Sequence, residues 1–533
     1  MLGPSLLNQT CEPFTYESTG PPNTLSSAII TGGEIVQRVV ATRSATTLRV
    51  VLLFGFMSAE EILESSACEL ADAIRAGKLA ASDVLDVYLD RIERIEPHLN
   101  AWCDLDVQGA RAQASAIDAR IARGEDPGLF AGVPIGVKEL AAVKGLSDTH
   151  GSLLYEGQIA DHDCTEVARL RSAGAVIVGK TTSPEFGSTN WTRTKIHGIT
   201  RNPWDVTRTP GGSSGGSGAA VASGMVPIAT GGDGGGSIRI PSSYCGLFGY
   251  KVTFGKIGSD PEGFDSSLTS VPGPMARTVL DAARYVDVVG GPTVNDPTST
   301  ARNAVPYEQQ LLSGEPIAAL RGLRAAWSST LGFAVTDPEV EEQSHAAAIE
   351  LAAAARLKLV DVDVRIPRPG MAWSLLSSLS TAADHLAVAR GRFDDLTPVV
   401  RGGMEWCERV TIDDIVHAYK RRAEILAAIA RVFDDIDILF TPTTATVAFD
   451  AAGPPPSEIA GQKVSGMGSV PFTAPFNISG QPGVSIPCGL NSEGLPIGLQ
   501  AITRRHMDEL VLALGLLSER SRPRLKAPEL LIG

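Results

Sequence analysis

The sequence predicts an α/β fold: a single large α/β/α sandwich with a mixed, twisted central sheet flanked by helices. Short apolar runs alternate with helical patterns along most of the chain, which is typical of a sheet covered by helices on both faces. The runs are apolar at successive positions, as in fully buried strands. Hydrophobic residues make up 43% of the 533 residues and charged residues 20%, so the chain can bury a core of this size.

Three helices are predicted before the first strand of this sheet. Residues 58–61 (SAEE) have the spacing of a capping box and begin a helix that ends near Gly77. A second helix spans residues 82–96, with apolar residues at helical spacing on one face, and a third spans about residues 106–123. All three are expected to pack on the core.

The predicted strands follow these helices. Residues 132–139 (GVPIGVKE) indicate a short buried strand that ends in a lysine and a glutamate, and residues 175–178 (AVIV) indicate a second, after a helix over residues 164–173. Later strands are predicted at residues 436–440, 483–486 and 498–502. The intervening part of the chain is dominated by helical patterns, which are clearest at residues 346–357 and 412–433.

One domain is expected over residues 57–533, with a catalytic core at about residues 128–300 and a helix-rich substrate pocket at about residues 300–470. Residues 1–56 are rich in Ser, Thr, Pro and Gly with little periodicity. We expect them to be a disordered leader or the result of a start assigned too early, with Met57 as the working start. Their apolar run at residues 48–56 is too short for a membrane span, which needs about 20 residues.

Charge and cysteine content exclude several classes of protein. The net charge is −14, from 46 basic and 60 acidic residues, and no long run of either sign occurs, which argues against a nucleic-acid partner. The seven cysteines are dispersed and form no C-x-x-C pair. They indicate reduced thiols in a cytoplasmic protein, and we expect no disulfide framework, metal, cofactor or membrane partner.

Two glycine-rich turns stand out, at residues 211–216 (GGSSGG) and 233–239 (DGGGSIR). A predicted helix at residues 218–224 lies between them. Glycine has no Cβ, so backbone N–H groups in such turns can approach a reacting atom closely. The serines within these turns are therefore candidate nucleophiles.

Two short motifs suggest other chemistry. Residues 174–181 (GAVIVGKT) match the P-loop pattern, but their inner residues are a predicted buried strand and not a phosphate-cradling turn. Residues 211–215 (GGSSG) match the nucleophile elbow of α/β-hydrolases, but residues 204–210 make a poor preceding strand. The histidines available to such a Ser-His-Asp site are His345, His385, His417 and His506.

The glycine turns belong to a longer pattern at residues 211–220, 233–241 and 245–251, which resembles the defining segment of the amidase signature family. Supporting stretches follow in the family's order at residues 132–139, 174–181, 201–204, 273–278 and 480–483. The resemblance covers about residues 58–520 and is far more specific than the short motifs. The chain departs from the usual pattern at Gly234, where a β-branched residue is common, and at Tyr250 and Val252, where Leu and Pro are usual.

The resemblance implies a catalytic triad of Lys138, Ser213 and Ser237, with a cis peptide bond at Gly212–Ser213. A serine nucleophile needs a base, and a lysine ammonium with an ordinary pKa of about 10.4 is no base at neutral pH. Lys138 must therefore be buried, because desolvation lowers the pKa of a lysine. It would then draw a proton from Ser213, which draws one from the nucleophile Ser237.

The resemblance also implies what surrounds the triad. The oxyanion hole is expected from the backbone N–H groups of Gly234, Gly235, Gly236 and Ser237. Ser214 would lie behind the triad, and Asp233 would hold the turn through an ion pair with Arg239. The substrate pocket is expected to include Tyr155, Phe186 and Trp191.

The implied function is that of a serine amidohydrolase that cleaves the C–N bond of small amides or anilides through an acyl-enzyme. Carbamates and esters present the same carbonyl, so urethanase and esterase activity stay open, as does a homodimeric assembly. One alternative is an amidotransferase A subunit that releases ammonia for tRNA-dependent amidation. Residues 254–257 (FGKI) differ from the Tyr-Gly-Leu stretch usual in that subunit, which favours a free-standing enzyme. The other alternative, a non-catalytic binding protein, conflicts with the intact triad.

We expect a chain that begins at Met57 to keep its melting temperature and activity, because residues 1–56 lack the pattern of a packed element. Thermal melting and hydrolysis rates of the full and shortened chains, measured side by side, check this. A shortened chain that does not fold contradicts it.

Overall fold

The computed structural model describes residues 26–32, 35–44, 47–52, 57–259 and 266–528. The chain divides into two units, Met1–Ser58 and Ala59–Gly533. In the first unit the strands β1 (Ser26–Gly32), β2 (Ile35–Ser44) and β3 (Thr47–Leu52) form an antiparallel sheet in that order. These strands were not expected from the sequence. The rest of residues 1–56 lies outside the described residues, and that the segment is a dispensable leader stays a prediction.

An eleven-stranded sheet forms the centre of the second unit. The strands of this unit are, in chain order, β4 (Trp102–Leu105), β5 (Pro134–Lys138), β6 (Val176–Thr181), β7 (Arg193–Thr194), β8 (Gly198–Ile199), β9 (Ile228–Asp233), β10 (Phe248–Lys251), β11 (Val271–Ala276), β12 (Arg324–Trp327), β13 (Lys358–Leu359), β14 (Ile438–Pro442), β15 (Glu458–Ile459), β16 (Gln462–Lys463), β17 (Gly483–Leu490) and β18 (Pro496–Thr503). The order in the large sheet is β13-β12-β14-β18-β17-β10-β11-β9-β5-β6-β4, and β7–β8 and β15–β16 are small separate pairs.

The large sheet is mixed. Strand β12 pairs in parallel with β13 and β14, and β5 pairs in parallel with β6 and β9, whereas the other pairs are antiparallel. The predicted α/β fold with a mixed central sheet is confirmed.

Helices surround this sheet. They are α1 (Ala59–Glu64), α2 (Ala67–Arg75), α3 (Ala81–Leu99), α4 (Val107–Ala122), α5 (Thr165–Ser172), α6 (Gly215–Ala222), α7 (Arg239–Cys245), α8 (Val279–Val289), α9 (Tyr307–Ser313), α10 (Glu315–Ala319), α11 (Pro338–Ala354), α12 (Gly370–Ala389), α13 (Pro398–Cys407), α14 (Ile412–Asp435), α15 (Ala474–Ile478) and α16 (Asp508–Ser521). Short 3₁₀ turns occur at Leu153–Tyr155, Glu185–Gly187 and Phe393–Asp395.

The start of the second unit differs from its prediction. The single helix expected from residue 58 to about Gly77 is two helices, α1 and α2. Ser66 begins the second one: its side chain accepts from the N–H of Glu69, and the Glu69 carboxylate accepts from the N–H of Ser66, which is a capping box. A helix start encoded within the predicted helix thus explains the break.

The P-loop alternative is excluded by strand β6. All six of its residues are buried, so the matching segment runs through the sheet and forms no phosphate-binding turn. The Lys180 ammonium is fully buried and donates to the carbonyl oxygen of Ser147 at 2.7 Å. Lys180 is therefore a structural residue at the end of a strand.

The sheet topology brings the candidate residues to one edge. Strands β5 and β9 are parallel neighbours, with Ile135 opposite Ile228, so their carboxyl ends lie together. Strand β5 ends at Lys138 and β9 ends at Asp233, where the second glycine turn begins. The first glycine turn precedes α6, which packs on both strands.

Two further properties concern the described residues only. Among them, no helix has both the length and the apolar character needed to cross a bilayer. Their cysteines are free thiols: Cys68, Cys103, Cys164, Cys245, Cys407 and Cys488.

Candidate active site

Lys138 is the last residue of β5, and its side chain is only 4% exposed. Its Nζ lies 2.7 Å from Ser213 Oγ and 3.3 Å from the carbonyl oxygen of Gly232. The backbone N–H of Lys138 donates to Thr230 Oγ1 of the neighbouring strand. The amine is thus held between β9 and the first glycine turn.

Burial lowers the pKa of Lys138 to about 7. The nearby carboxylates oppose this shift, and Asp233 has the largest opposing effect. An amine with this pKa is substantially neutral at neutral pH and can accept a proton. Lys138 thus has the burial and the lowered pKa that a lysine base requires.

Ser213 is buried and follows a cis peptide bond from Gly212, as the resemblance implies. The glycine is required here by close packing: a Cβ at Gly212 would lie 2.6 Å from the carbonyl oxygen of Thr189 and 2.9 Å from the backbone nitrogen of Trp191. The segment at residues 189–191 thus presses directly on the turn that carries Ser213.

Ser237 lies in the second glycine turn and is half-buried. Its carbonyl oxygen accepts from the N–H of Ser214 at 3.2 Å, which ties the two turns together. Lys138, Ser213 and Ser237 all line one cavity of about 550 Å3, named here the inner cavity. The structure therefore brings the three predicted residues to one site.

Ser214 lies behind this arrangement. Its Oγ accepts from the N–H of Gly232 at 3.2 Å and lies 3.4 Å from the carbonyl oxygen of the same residue. The first glycine turn is thereby joined to the end of β9, which is the supporting position that the resemblance implies.

The carbonyl groups of the second glycine turn each accept a hydrogen bond. The bonds are Asn477 Nδ2 to Asp233 O at 2.7 Å, Trp373 Nε1 to Gly234 O at 3.2 Å, Thr473 Oγ1 to Gly235 O at 2.5 Å and Ile240 N to Gly236 O at 2.7 Å. In a trans peptide unit the C=O and the following N–H point in opposite directions. These bonds therefore fix where the N–H groups of the turn point.

One predicted oxyanion donor must be corrected. The N–H of Gly236 donates to Asp233 Oδ1 at 2.7 Å, so it is occupied within the protein. Among the described residues, none accepts a hydrogen bond from the N–H of Gly234, Gly235 or Ser237. These three groups stay the proposed oxyanion donors.

Asp233 and Arg239 form the predicted ion pair, and both side chains are fully buried. Burial by itself would raise the pKa of Asp233, but the Arg239 guanidinium and other donors hold this pKa well below its ordinary value. Arg239 also donates to Gln500 Oε1, Asn477 Oδ1 and the carbonyl oxygen of Thr473. The pair thus connects the turn to the C-terminal part of the sheet.

The predicted pocket residues separate into two groups. Phe186 lines the inner cavity and an adjacent outer cavity of about 1150 Å3, and Trp191 lines the outer cavity. Tyr155 lines neither of these two cavities. Its hydroxyl group lies 2.8 Å from His385 Nδ1, and its ring contacts Phe186 edge-on. A substrate-contacting role for Tyr155 is not supported.

Three site residues carry no sequence signal: Trp373, Thr473 and Asn477. They come from the helix-rich segment and the C-terminal region, far along the chain from the turn that they bond. An isolated Trp, Thr or Asn in such a segment has no spacing to distinguish it from other residues of its type, and only the folded chain shows its role.

Among the described residues, one group of side chains could hold a metal ion. Its members are Cys103, Glu139 and His197, whose ligand atoms lie within 4.8 Å of one another. Glu139 Oε1 already accepts from Thr149 Oγ1 and the N–H of Gly151 and lies 2.7 Å from His197 Nε2. Hydrogen bonding thus accounts for the group without a metal, and the expected independence from metals stays a prediction.

Comparison with known proteins decides the family. The family model Amidase matches residues 83–512, and a solved bacterial aryl acylamidase, described as one of the amidase signature enzymes, has a TM-score of 0.80. The chain belongs to the amidase signature family. That structure is 28% identical and covers 86% of this chain and 96% of its own.

Relatives of this amidase differ in activity. The A subunit of the glutamyl-tRNA(Gln) amidotransferase of Synechococcus sp. is 36% identical over 468 residues, which are 83% of this chain and 94% of that protein. An acylamidase of Rhodococcus erythropolis is 32% identical over 469 residues, or 86% of this chain and 95% of that protein. The structure of 6-aminohexanoate cyclic dimer hydrolase has a TM-score of 0.77 at 29% identity, with 86% and 97% of the two chains covered. The chain is an enzyme that hydrolyses amide C–N bonds.

Activity is expected to fall with acidification, with a midpoint near pH 7. The pKa of Lys138 is lowered to about 7, so the neutral amine is present above this pH and is lost as the pH falls below it. A profile of kcat/KM against pH checks this. An acidic optimum would contradict a lysine base.

Asp233→Asn is expected to lower the free energy of unfolding by about 3–5 kcal/mol, because it leaves the buried Arg239 charge unpaired. Urea denaturation measures the change. The matched control is Glu405→Gln, which removes the carboxylate of the exposed Arg401–Glu405 pair and should have little effect. Equal stability of the two variants would show that the buried pair has no such role.

Proposed function

We propose that this amidase is a serine amidohydrolase for small neutral amides and anilides, with carbamates and esters as further substrates. The observation that carries the proposal is the 2.7 Å separation of Lys138 Nζ and Ser213 Oγ, in a cavity that Ser237 also lines. This places a buried amine of lowered pKa and two hydroxyl groups around one space.

The proposed reaction begins with proton transfer. Neutral Lys138 accepts the proton of Ser213, and Ser213 accepts the proton of Ser237 as its Oγ attacks the substrate carbonyl carbon. The carbonyl π pair moves to oxygen, and the resulting oxyanion accepts hydrogen bonds from the N–H groups of Gly234, Gly235 and Ser237. Such donors are worth about 3 kcal/mol each in comparable hydrolases.

The intermediate then collapses, and the C–N bond breaks. The leaving nitrogen takes the proton back from Lys138 through Ser213, so the amine departs neutral and the acyl group stays on Ser237. Ser213, backed by neutral Lys138, takes a proton from a water molecule whose oxygen attacks the acyl carbon. The bond between the acyl carbon and Ser237 Oγ then breaks, Ser237 Oγ takes the proton back through Ser213, and the acid is released. No step requires a metal or cofactor.

The scarcity of cationic side chains among the described residues of the inner cavity argues against an amino-acid amide donor. Glutamine carries an α-carboxylate, which needs a cationic partner when it is taken out of water. Among the described residues that line the inner cavity, Lys138 is the only Lys, Arg or His. Residues 260–265, which the structure does not describe, contain none of these types. This supports the free-standing hydrolase over the amidotransferase function.

Aromatic side chains on the cavity walls support an aryl group in the substrate. Phe186 and Trp373 line both the inner and the outer cavity, and Trp191 and Trp406 line the outer one. Planar rings stack on such walls with favourable geometry. The similarity to an aryl acylamidase agrees with this preference.

Hydrolysis of a panel of anilides, primary amides, carbamates and esters, with glutamine included, tests the substrate class. Faster turnover of neutral aryl substrates is expected. Preferred hydrolysis of glutamine, with partner subunits that co-purify, would favour the amidotransferase function. A cytoplasmic location and a homodimer stay predictions, which fractionation and light scattering can check.

Ser237→Ala is expected to lower kcat by about 10³-fold or more and to abolish covalent labelling by a fluorophosphonate, because the nucleophile is gone. Lys138→Ala should lose most activity while the fold is retained. Ser223→Ala is the matched control, since its hydroxyl group bonds only to carbonyl oxygens of its own helix. Labelling that persists in Ser237→Ala would place the nucleophile elsewhere.

A further inference from the structure

We propose that Trp373 is a positioning residue for the hydrolysis: its indole N–H sets the peptide plane between Gly234 and Gly235 and thereby aims one oxyanion donor, the N–H of Gly235. The inference rests on the proposed function of the second glycine turn. Trp373 lies in the first turn of α12, in the helix-rich segment that also lines the inner and outer cavities.

The contact between Trp373 and the turn is direct. Its Nε1–H donates to the carbonyl oxygen of Gly234 at 3.2 Å. Its ring also covers the next residue, since a Cβ at Gly235 would overlap the ring atoms. Glycine at this position and tryptophan at residue 373 thus fit each other.

The hydrogen bond has a geometric consequence for Gly235. The carbonyl group of Gly234 and the N–H of Gly235 belong to one planar peptide unit and point in opposite directions. A donor that holds the carbonyl therefore holds the N–H as well. Rotation of this unit would turn a proposed oxyanion donor away from the position that it has in the folded chain.

Trp373 is more exposed than the other side chains that donate to this turn. Thr473 and Asn477, which bond the carbonyl groups of Gly235 and Asp233, are fully buried. Trp373 is half-buried and forms part of the wall that a bound substrate would touch. The orientation of one oxyanion donor thus depends on a residue of the substrate-binding wall.

This arrangement links substrate fit to catalysis. Helix α12 lines the inner cavity with Ser377, Ser380 and Thr381 and the outer cavity with Met371 and Leu375. A substrate that packs along this helix holds Trp373 against the turn, whereas a short substrate leaves it less restrained. Binding energy from remote parts of the substrate would then appear in kcat.

The variant Trp373→Phe separates positioning from packing, because it keeps an aromatic ring and removes the N–H donor. Trp204→Phe is the matched control: Trp204 Nε1 donates to the carbonyl oxygen of Cys245 at 2.9 Å, and its ring lies against Gly246. The control loses the same type of bond, from an indole N–H to the carbonyl oxygen of the residue before a glycine, but Trp204 lines neither cavity.

The rate of fluorophosphonate labelling at Ser237, kcat and KM of the best anilide, and the melting temperature are measured for both variants. Trp373→Phe should lower the labelling rate and kcat by about tenfold, with KM and melting temperature close to those of the control, since the loss is one of alignment. Labelling and kcat equal to those of Trp204→Phe would overturn the inference, as would a drop explained by melting temperature alone.

Failure of the proposed function is distinguishable from failure of the inference. If wild-type Ser237 is not labelled, the proposed function is wrong, whatever Trp373 does. Hydrogen exchange of the peptide over residues 230–240 then decides the structural part without any activity. Faster exchange in Trp373→Phe than in Trp204→Phe supports the positioning role, and equal exchange overturns it.

Discussion

Asp233 and Arg239 form an ion pair that is closed off from solvent, and its hydrogen-bond partners come from several distant parts of the chain. The carboxylate accepts from the N–H groups of Gly236, Ile238 and Arg239, so it folds the turn around itself. The guanidinium reaches Gln500 in β18 and Asn477 in α15. Because two buried charges need each other and all of these donors and acceptors, a change at one of them disturbs the whole turn.

The same pair bears on the charge of Lys138. Burial lowers the pKa of this amine to about 7, while Asp233 is the strongest of the nearby groups that raise it. The ion pair therefore shapes the turn that carries Ser237, and its carboxylate limits how far burial lowers the pKa of Lys138.

Relatives with one fold and different activities show where specificity must lie. An acylamidase and one subunit of an amidotransferase align with most of this chain at similar identity. In the proposed mechanism the turns around Ser213 and Ser237 carry the attack on an amide carbonyl, whatever the rest of the substrate is. Under this mechanism the walls of the two cavities select the substrate, and α12 lines both cavities.

Sequence alone determined the elements whose signal is local. The apolar run that ends at Lys138 is strand β5, and glycines where a side chain would clash mark the turns with Ser213 and Ser237. The tertiary structure decided which side chains bond these turns: the indole N–H of Trp373 donates to the carbonyl oxygen of Gly234, and Thr473 Oγ1 donates to that of Gly235. It also packs Tyr155 against Phe186, outside the lining of both cavities. A local pattern reports backbone conformation and burial, whereas hydrogen-bond partners depend on segments that meet only when the eleven-stranded sheet is assembled.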